Sequence, residues 1–474
     1  MTSTRLETDH AGSGLALLAV LMPAMLATVI ASDMVNLLLP AIGTEFDASE
    51  AELAWVVTGF LLMFSVGIPF YGRLSDRVSL RTLFVVCLTT YAAGSLVSAL
   101  APSLLALVAG RIVMGIGAAG IPVLTILGVT RLLPAEKRGM GIGVISAAAG
   151  IGTAAGPALG GGIGQLLGWH APFWLMVAIA LVLLPLIWRV LPADSPTTAE
   201  RFDLTGGILL GAAAGLLLFG ITQAQVAGFT APSAWGCLVV GMATLVVFVG
   251  RNRRIDRPFV PPALFDNQVF RIAVIVVSLA MSINLGALVF VPIVLVDVDG
   301  LDPGTGALVM IPAGLAVAML SPLSGRLADR IGARTPTLTG LAVMGLSAVF
   351  LSTVAGGGSL VLTAIGITAL CAGFIFVMTP IISAAAGALA PAQAGIGLGI
   401  LQGAQFLGAS AGPALFGALV SARRQAGTDA LNPLNDTRSG AAFSDAFLAM
   451  AFVAVTALII ALWMRPTPAS NELP

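Results

Sequence analysis

Charge is what this sequence has least of. Acidic and basic residues together make up 9% of the chain, against roughly 25% in soluble globular proteins, whose surfaces must be hydrated. So few charges cannot cover a water-facing surface of a 474-residue chain. With 58% hydrophobic residues and a mean hydropathy of +1.03, the solvent of this protein is lipid. An excess of positive charge is absent as well: 22 basic residues balance 22 acidic ones, so no basic patch is left over for nucleic acid. Lysine occurs once, at Lys137, no P-loop G-x-x-x-x-G-K-[ST] exists, and no polar stretch has room for a nucleotide-binding domain. Both histidines, His10 and His170, fall outside the apolar runs, which leaves no zinc site or histidine relay within the membrane. The three cysteines, Cys87, Cys237 and Cys371, all lie inside apolar runs and imply neither a disulfide framework nor a thiolate metal site. No cofactor and no metal are expected.

What the chain does have is long apolar runs. They are continuous over about 20 residues, the length a helix needs to cross the hydrocarbon core. Barrel strands would show ~10-residue segments of alternating polarity. The pattern predicts an all-α membrane protein with fourteen transmembrane helices. The first six fall near 14–39, 51–72, 82–101, 104–130, 139–163 and 172–191. Two follow near 204–224 and 232–250, and the last six near 268–293, 304–324, 336–355, 359–385, 395–420 and 443–464. The first run follows a short polar tail with Arg5, Glu7 and His10 and is too long for a signal-peptide core, so it is read as a membrane anchor.

Orientation follows from the basic residues. With the N-terminus inside, 18 of the 22 lie in cytoplasmic segments, three (Arg423, Arg424, Arg438) lie outside, and Arg111 lies within a span. An even number of spans returns the C-terminus to the cytoplasm. Trp169 and Trp235 read as anchors at the membrane interface.

The chain also repeats itself. Residues 72–81 (G-R-L-S-D-R-V-S-L-R) and 325–334 (G-R-L-A-D-R-I-G-A-R) agree at six of ten positions, at an offset of 253. Residues 152–161 (G-T-A-A-G-P-A-L-G-G) and 408–417 (G-A-S-A-G-P-A-L-F-G) agree at seven of ten, at an offset of 256. Both pairs are displaced by eight spans, an even number, so the repeats run parallel. Two six-helix bundles, 1–191 and 268–474, with two inserted helices and a cytoplasmic linker at 192–267, give that displacement. Parallel halves around a central cavity are one architecture of secondary transporters.

Two charges stand apart. Asp33 is the one acidic residue placed well inside a span, where an ionisable side chain costs at least ~2.5–3.5 kcal/mol on insertion scales and is a functional candidate by default. Arg111 is its one basic counterpart. Both lie roughly 10 Å below the external surface at 1.5 Å rise per residue, so they are expected to compensate each other, directly or through water. Asn36 follows three residues after Asp33, on the same helix face. A structural ion pair that merely lets both charges exist in lipid is the plainer alternative.

Taken together, the G-R-L-S-D-R loop, the R-I-V-M-G-I-G-A-A run at 111–119 and the G-T-A-A-G-P-A-L-G-G run resemble the landmarks of the major facilitator superfamily. They follow the order found in its fourteen-span drug:proton antiporter group, and the resemblance extends over essentially the whole chain. V-N-L-L-L-P at 35–40 is similar to the group's first-span motif, and L-L-P-A-E-K-R-G at 132–139 looks closest to the L-type tetracycline efflux proteins. The resemblance implies a proton relay through Asp33 and Arg111. It also implies a cytoplasmic gate at the loop holding Gly72, Asp76 and Arg77, with Arg77 or Arg131 meeting Asp76, and Asp329 and Arg330 as the second half's version. One departure is Ser79, where the family usually has glycine. Gly152, Gly156, Pro157, Gly160 and Gly161 place small residues at i and i+4, which lets helices approach closely; the resemblance ties this run to exporters. Asn284, Gln402 and Gln405 are candidates to line a substrate cavity, and Trp55 and Met114 to offer it a soft apolar wall.

The implied function is proton-coupled export of neutral or monocationic lipophilic drugs across a bacterial inner membrane. The partners are then a small lipophilic substrate, protons and the bilayer, and the working unit is a monomer. A tetracycline–metal antiporter and a proton-coupled importer on the same fold are the alternatives; a transport-dead sensor or scaffold has no use for Asp33 and Arg111. The acidic residues of the tetracycline proteins have Thr153 and Ala409 at the matching positions here. Asp445, near the outer end of the last span, is the remaining carboxylate that could reach a cavity.

Overall fold

The computed structural model describes residues 3–48, 50–192, 203–227, 231–255, 258–301, 308–357, 359–390, 393–427, 429–435 and 440–464. Among them there is no strand. The helices are α1 (Ser3–Asp33), α2 (Leu39–Phe46), α3 (Glu50–Leu74), α4 (Leu80–Ala99), α5 (Leu104–Leu132), α6 (Ala135–Leu167), α7 (Ala171–Val190), α8 (Leu204–Ala227) and α9 (Pro232–Asn252). They continue with α10 (Gln268–Ile293), α11 (Ile311–Ile331), α12 (Arg334–Val354), α13 (Leu360–Ala388), α14 (Ala394–Ala426) and α15 (Ala441–Leu462). Lipid offers backbone groups no hydrogen bonds, so long apolar runs close their own as helices. Polar residues mark where these begin: Ser79 accepts from the Thr82 N–H, Ser103 from Ala106, and Asn267 from Val269 and Phe270.

Twelve helices among the described residues are long and apolar enough to cross a membrane. The two expected spans outside that count are 139–163, within the glycine-rich α6, and 204–224, where the described apolar stretch is Thr205–Ile221. Large apolar side chains are exposed along whole helix faces, as with Val239, Val240, Met242, Val246 and Val247 of α9. In water such a face would be an aggregation site; against lipid it is ordinary surface.

The chain forms two compact units. The first gathers Met1–Gly215, Gly241–Leu264 and Leu389–Gly403; the second gathers Leu216–Val240, Phe265–Ala388 and Ala404–Pro474. Within the first, α4 packs on α5, α3 on α5, and α1 on α6; within the second, α12 packs on α13 and α15, and α13 on α11. Small residues permit this: a Cβ on Gly340 of α12 would lie 2.6 Å from the Gly373 carbonyl oxygen of α13.

The two copies of the repeated loop turn differently. In the second, Gly332 takes a left-handed φ of +80°. In the first, Ser79 takes φ −57° and spends its hydroxyl on capping α4. Serine therefore suits this turn without strain.

Candidate functional site

Asp33 is the last residue of α1. Beyond it the chain tightens into a 3-10 segment, Met34–Leu37, closed by the Leu38 N–H donating to the Val35 carbonyl at 2.9 Å, and then restarts as α2. Over this break lies α6. A Cβ on Gly152 would meet Val29 at 2.8 Å, one on Gly156 the Asp33 Cβ at 3.0 Å, one on Gly160 the Met34 Cα at 2.7 Å, and one on Gly161 the Leu37 side chain at 2.9 Å. Gly152, Gly156 and Gly160 recur every fourth residue, so one face of α6 lies backbone-close along α1 and its break. The small-residue run is thus a packing device, and what it packs around is Asp33. The side chains of Asn36 and Pro157 lie outside the described residues.

Arg111 of α5 is wholly buried. Its Nη1 donates to the Ala31 carbonyl of α1 at 2.9 Å, and its Nε to the Val56 carbonyl of α3 at 3.1 Å. Nη1 also reaches the sulfur of buried Met114 at 3.5 Å. The Phe60 ring lies 4.2 Å below the guanidinium, and Phe60 stacks on Phe64. A buried guanidinium without partners costs several kcal/mol, and these acceptors offset it. Arg111 and Asp33 are not in ion-pair contact: the arginine holds the carbonyl two residues earlier, and among the described residues its Nη2 has no hydrogen-bond partner. Backbone carbonyls leave no sequence signature, so Ala31 and Val56 could not be read in advance. Phe60 could have been, since the spacing of α3 puts it one turn before Phe64.

The loop after α3 gathers a second constellation. Asp76 is 1% exposed, and its Oδ1 accepts from the Gly395 N–H at 3.0 Å and from Arg131 Nη2 at 3.3 Å. Arg131 Nη1 also donates to the Ser75 carbonyl at 3.1 Å, and Arg73 lies 3.8 Å from the carboxylate. Gly395 is the second residue of α14, where helix N–H groups lack internal partners and the dipole favours an anion. Asp76 therefore caps, from another part of the chain, the start of α14. A Cβ on Gly72 would lie 2.5 Å from the Gly395 oxygen, so the two backbones touch. Burial pushes the Asp76 carboxyl up to about 6, with the Gly395 N–H, Arg131 and Arg73 pulling the other way. Of the two cations expected to meet Asp76, Arg131 is in hydrogen-bond contact with it; Arg77 is part-buried in the turn.

The other candidates are scattered. Trp55 is half exposed, and Asn284 is buried 3.6 Å from the Cys371 sulfur. Gln402 is buried, its Oε1 without a partner among the described residues, and Gln405 is half-buried. Asp329 is half-buried and Arg330 exposed. Two expectations need correction. Trp169 is no interface anchor: it is 4% exposed, donates to Glu45 at 2.6 Å and packs on Phe46, His170 and Phe173. Asp445 is no spare carboxylate: it is buried, paired with Arg423, and accepts from the Leu431 N–H at 2.8 Å. Among the described residues no group of three His, Cys, Asp or Glu could hold a metal.

In the second unit the glycine device recurs. Cβ atoms on Gly408 and Gly412 of α14 would strike the backbone of Ser278 and Ser282 in α10.

The Major Facilitator Superfamily profile matches residues 21–413. A multidrug resistance protein, Stp, of Mycobacterium tuberculosis is 30% identical over 82% of this chain and 72% of its own. The tetracenomycin C resistance and export protein of Streptomyces glaucescens is 29% identical over 83% and 73%. The lincomycin resistance protein LmrB of Listeria monocytogenes is 26% identical over 80% and 81%. In fold, the chain is similar to the proton:xylose symporter XylE, at TM-score 0.66 and 16% identity over 97% of this chain and 98% of that one. The human organic anion transporter MFSD10 gives 0.64 and 16% over 94% and 99%.

Proposed function

The chain belongs to the major facilitator superfamily and is a multi-pass membrane transporter; from that premise we propose that it is a proton-coupled exporter of neutral or monocationic lipophilic drugs and antibiotics, working by alternating access. The observation that carries this reading is Asp33, an ionisable group at a helix break in the first span, clasped by the glycine face of α6. One carboxylate holds either a proton or a cation at a time. Ionised, it draws a cationic substrate; protonated, it is neutral and releases it. Arg111 is tied to the same helix by its bond to the Ala31 carbonyl. Relatives named as multidrug, tetracenomycin and lincomycin resistance proteins support export of such compounds.

We read fourteen spans, with both termini on the cytoplasmic side of a bacterial inner membrane. The chain then comprises bundles at 1–191 and 268–474 with the inserted pair at 192–267, and acts as a monomer. At 1.5 Å per residue, the 33 residues of α6 and the 24 of α8 exceed the ~30 Å hydrocarbon core. Parallel repeats are supported by Pro69 and Pro322, which recur at the loop's offset of 253, and by Pro122 and Pro380, at a nearby offset of 258. The Asp76–Arg131–Gly395 constellation, with Gly72 against Gly395, is read as the closed cytoplasmic gate.

A single assay separates the readings. Purified protein in proteoliposomes should move a monocationic dye against an imposed pH gradient, and collapsing the gradient should abolish the movement. Dye movement indifferent to the gradient would remove proton coupling. Accumulation in the direction of proton flow would identify an importer.

A further inference from the structure

The two inserted helices have no role in the reading above, yet their inner ends are built into the first unit. Along α8, Gly207, Gly211 and Gly215 form a stripe against α3: their Cβ atoms would meet Phe70 at 3.0 Å, Val66 at 2.8 Å, and Val66 and Leu62 at 2.8 and 2.9 Å. The segment after α9 folds back beneath them. Asn252 donates to the Val260 carbonyl at 2.7 Å and accepts from the Val260 N–H at 3.2 Å. Phe259, 1% exposed, sits with its ring 5.8 Å from that of Phe70 and against Gly206 and Gly207. Asp203 ties the three pieces together. It pairs with Arg251 at the end of α9 at 2.9 Å, and accepts from the Gly206 N–H at the start of α8 and from the Phe259 N–H. Its hydrogen bond with Arg251 holds its carboxyl below the usual carboxylate range.

Phe70 lies two residues before Gly72, the glycine in backbone contact with Gly395. We propose that the inner ends of α8 and α9, with residues 258–264, brace the end of α3 and so set how readily the contact of Gly72 and Asp76 with Gly395 opens, Phe259 being the positioning residue. The inserted pair thereby acts on transport without touching substrate. This inference rests on the gate reading given above.

The test keeps the two apart. Ile396, wholly buried beside Gly395, is replaced by cysteine in the full chain, with Cys87, Cys237 and Cys371 replaced by alanine. Labelling by a water-soluble maleimide from the cytoplasmic face then reports gate opening, and transport kcat and KM are measured in proteoliposomes. Gly72→Ala, whose methyl must part the two backbones, should raise labelling; if it does not, the gate reading fails. Phe259→Ala should raise labelling about two- to tenfold, the range to which an aromatic pair's worth converts, and change kcat with KM kept. Phe259→Leu should restore both. Should Phe259→Ala fail to reach the membrane, Asp203→Asn, which keeps the side-chain shape, should shift labelling in the same direction. Labelling and kcat at parental values in the Phe259 or Asp203 variant, while Gly72→Ala raises labelling, overturns the brace.

Discussion

Gly160 is where α6 comes hard against the backbone of the break after α1, and Gly162, two residues on, is where no such contact exists. A Cβ at Gly160 would lie 2.7 Å from the Met34 Cα and strike the Met34 carbonyl, while one at Gly162 would find nothing within 4 Å. Carbon atoms settle at about 3.5–4.0 Å, so Gly160→Ala must part the helices by about 1 Å. The obstacle is backbone, which cannot swing aside as a flexible side chain can. Overpacking of this kind costs about 1–3 kcal/mol, and the better helix propensity of alanine returns up to about 1 kcal/mol. A net loss of up to about 2 kcal/mol follows. Gly162→Ala keeps only the propensity gain. Gly156→Ala falls between, its Cβ reaching 3.0 Å from that of Asp33. The assay is thermal unfolding in detergent, followed by tryptophan fluorescence, beside proton-driven export in proteoliposomes. The order should be Gly162→Ala above parent, then Gly156→Ala, then Gly160→Ala, with export falling most in the last because the moved segment adjoins Asp33. Equal melting and equal export for the Gly160 and Gly162 variants would refute the close approach of α6 to the break.

Other expectations follow from the same geometry. Asp33→Asn should abolish export driven by a pH gradient while leaving the protein in the membrane; full drug resistance at normal expression would remove Asp33 from the coupling. Asp76→Asn should lower kcat more than it raises KM, since Asp76 joins helix ends rather than substrate; a change in KM alone would assign it elsewhere. Burial raises the Asp76 carboxyl from the ordinary 3.8 to about 6 in this structure, so on the gate reading proposed above closure should take up a proton. The resulting stabilisation of the closed state is complete below about 4 and lost as pH rises through about 6. Labelling of the Ile396→Cys reporter, divided at each pH by that of the same cysteine in denatured protein to remove the thiol's own titration, should therefore fall on acidification across that window and stay flat in Asp76→Asn; a flat normalised parent profile would contradict it. A site with one free carboxylate should export a monocationic dye better than a dicationic antiseptic or tetracycline with magnesium, because Thr153 and Ala409 cannot ionise and Asp445 is held by Arg423. Efficient export of the dication would show that another acidic group serves the substrate.

The sequence by itself determined the solvent and the secondary structure. Twenty-residue apolar runs with 9% charge have one stable form in lipid, because only a helix satisfies its backbone within the segment. It also marked Asp33, Arg111, Asp76 and the glycine runs, since a charge or a stripe of small residues inside a span is costly or conspicuous without knowledge of its neighbours. What these residues touch was decided by the tertiary structure. Arg111 looked like the partner of Asp33 because both charges lie at one depth, but its donors close on the carbonyls of Ala31 and Val56. Every residue carries a carbonyl, so composition cannot announce that acceptor. Asp76 caps a helix 319 residues away, and Trp169 turns inward to Glu45. The pairing of Phe259 with Phe70 joins a linker to α3 across a sequence gap with no pattern to reveal it. Helix formation is local in sequence and therefore legible there; which faces meet depends on the packing of all the helices at once.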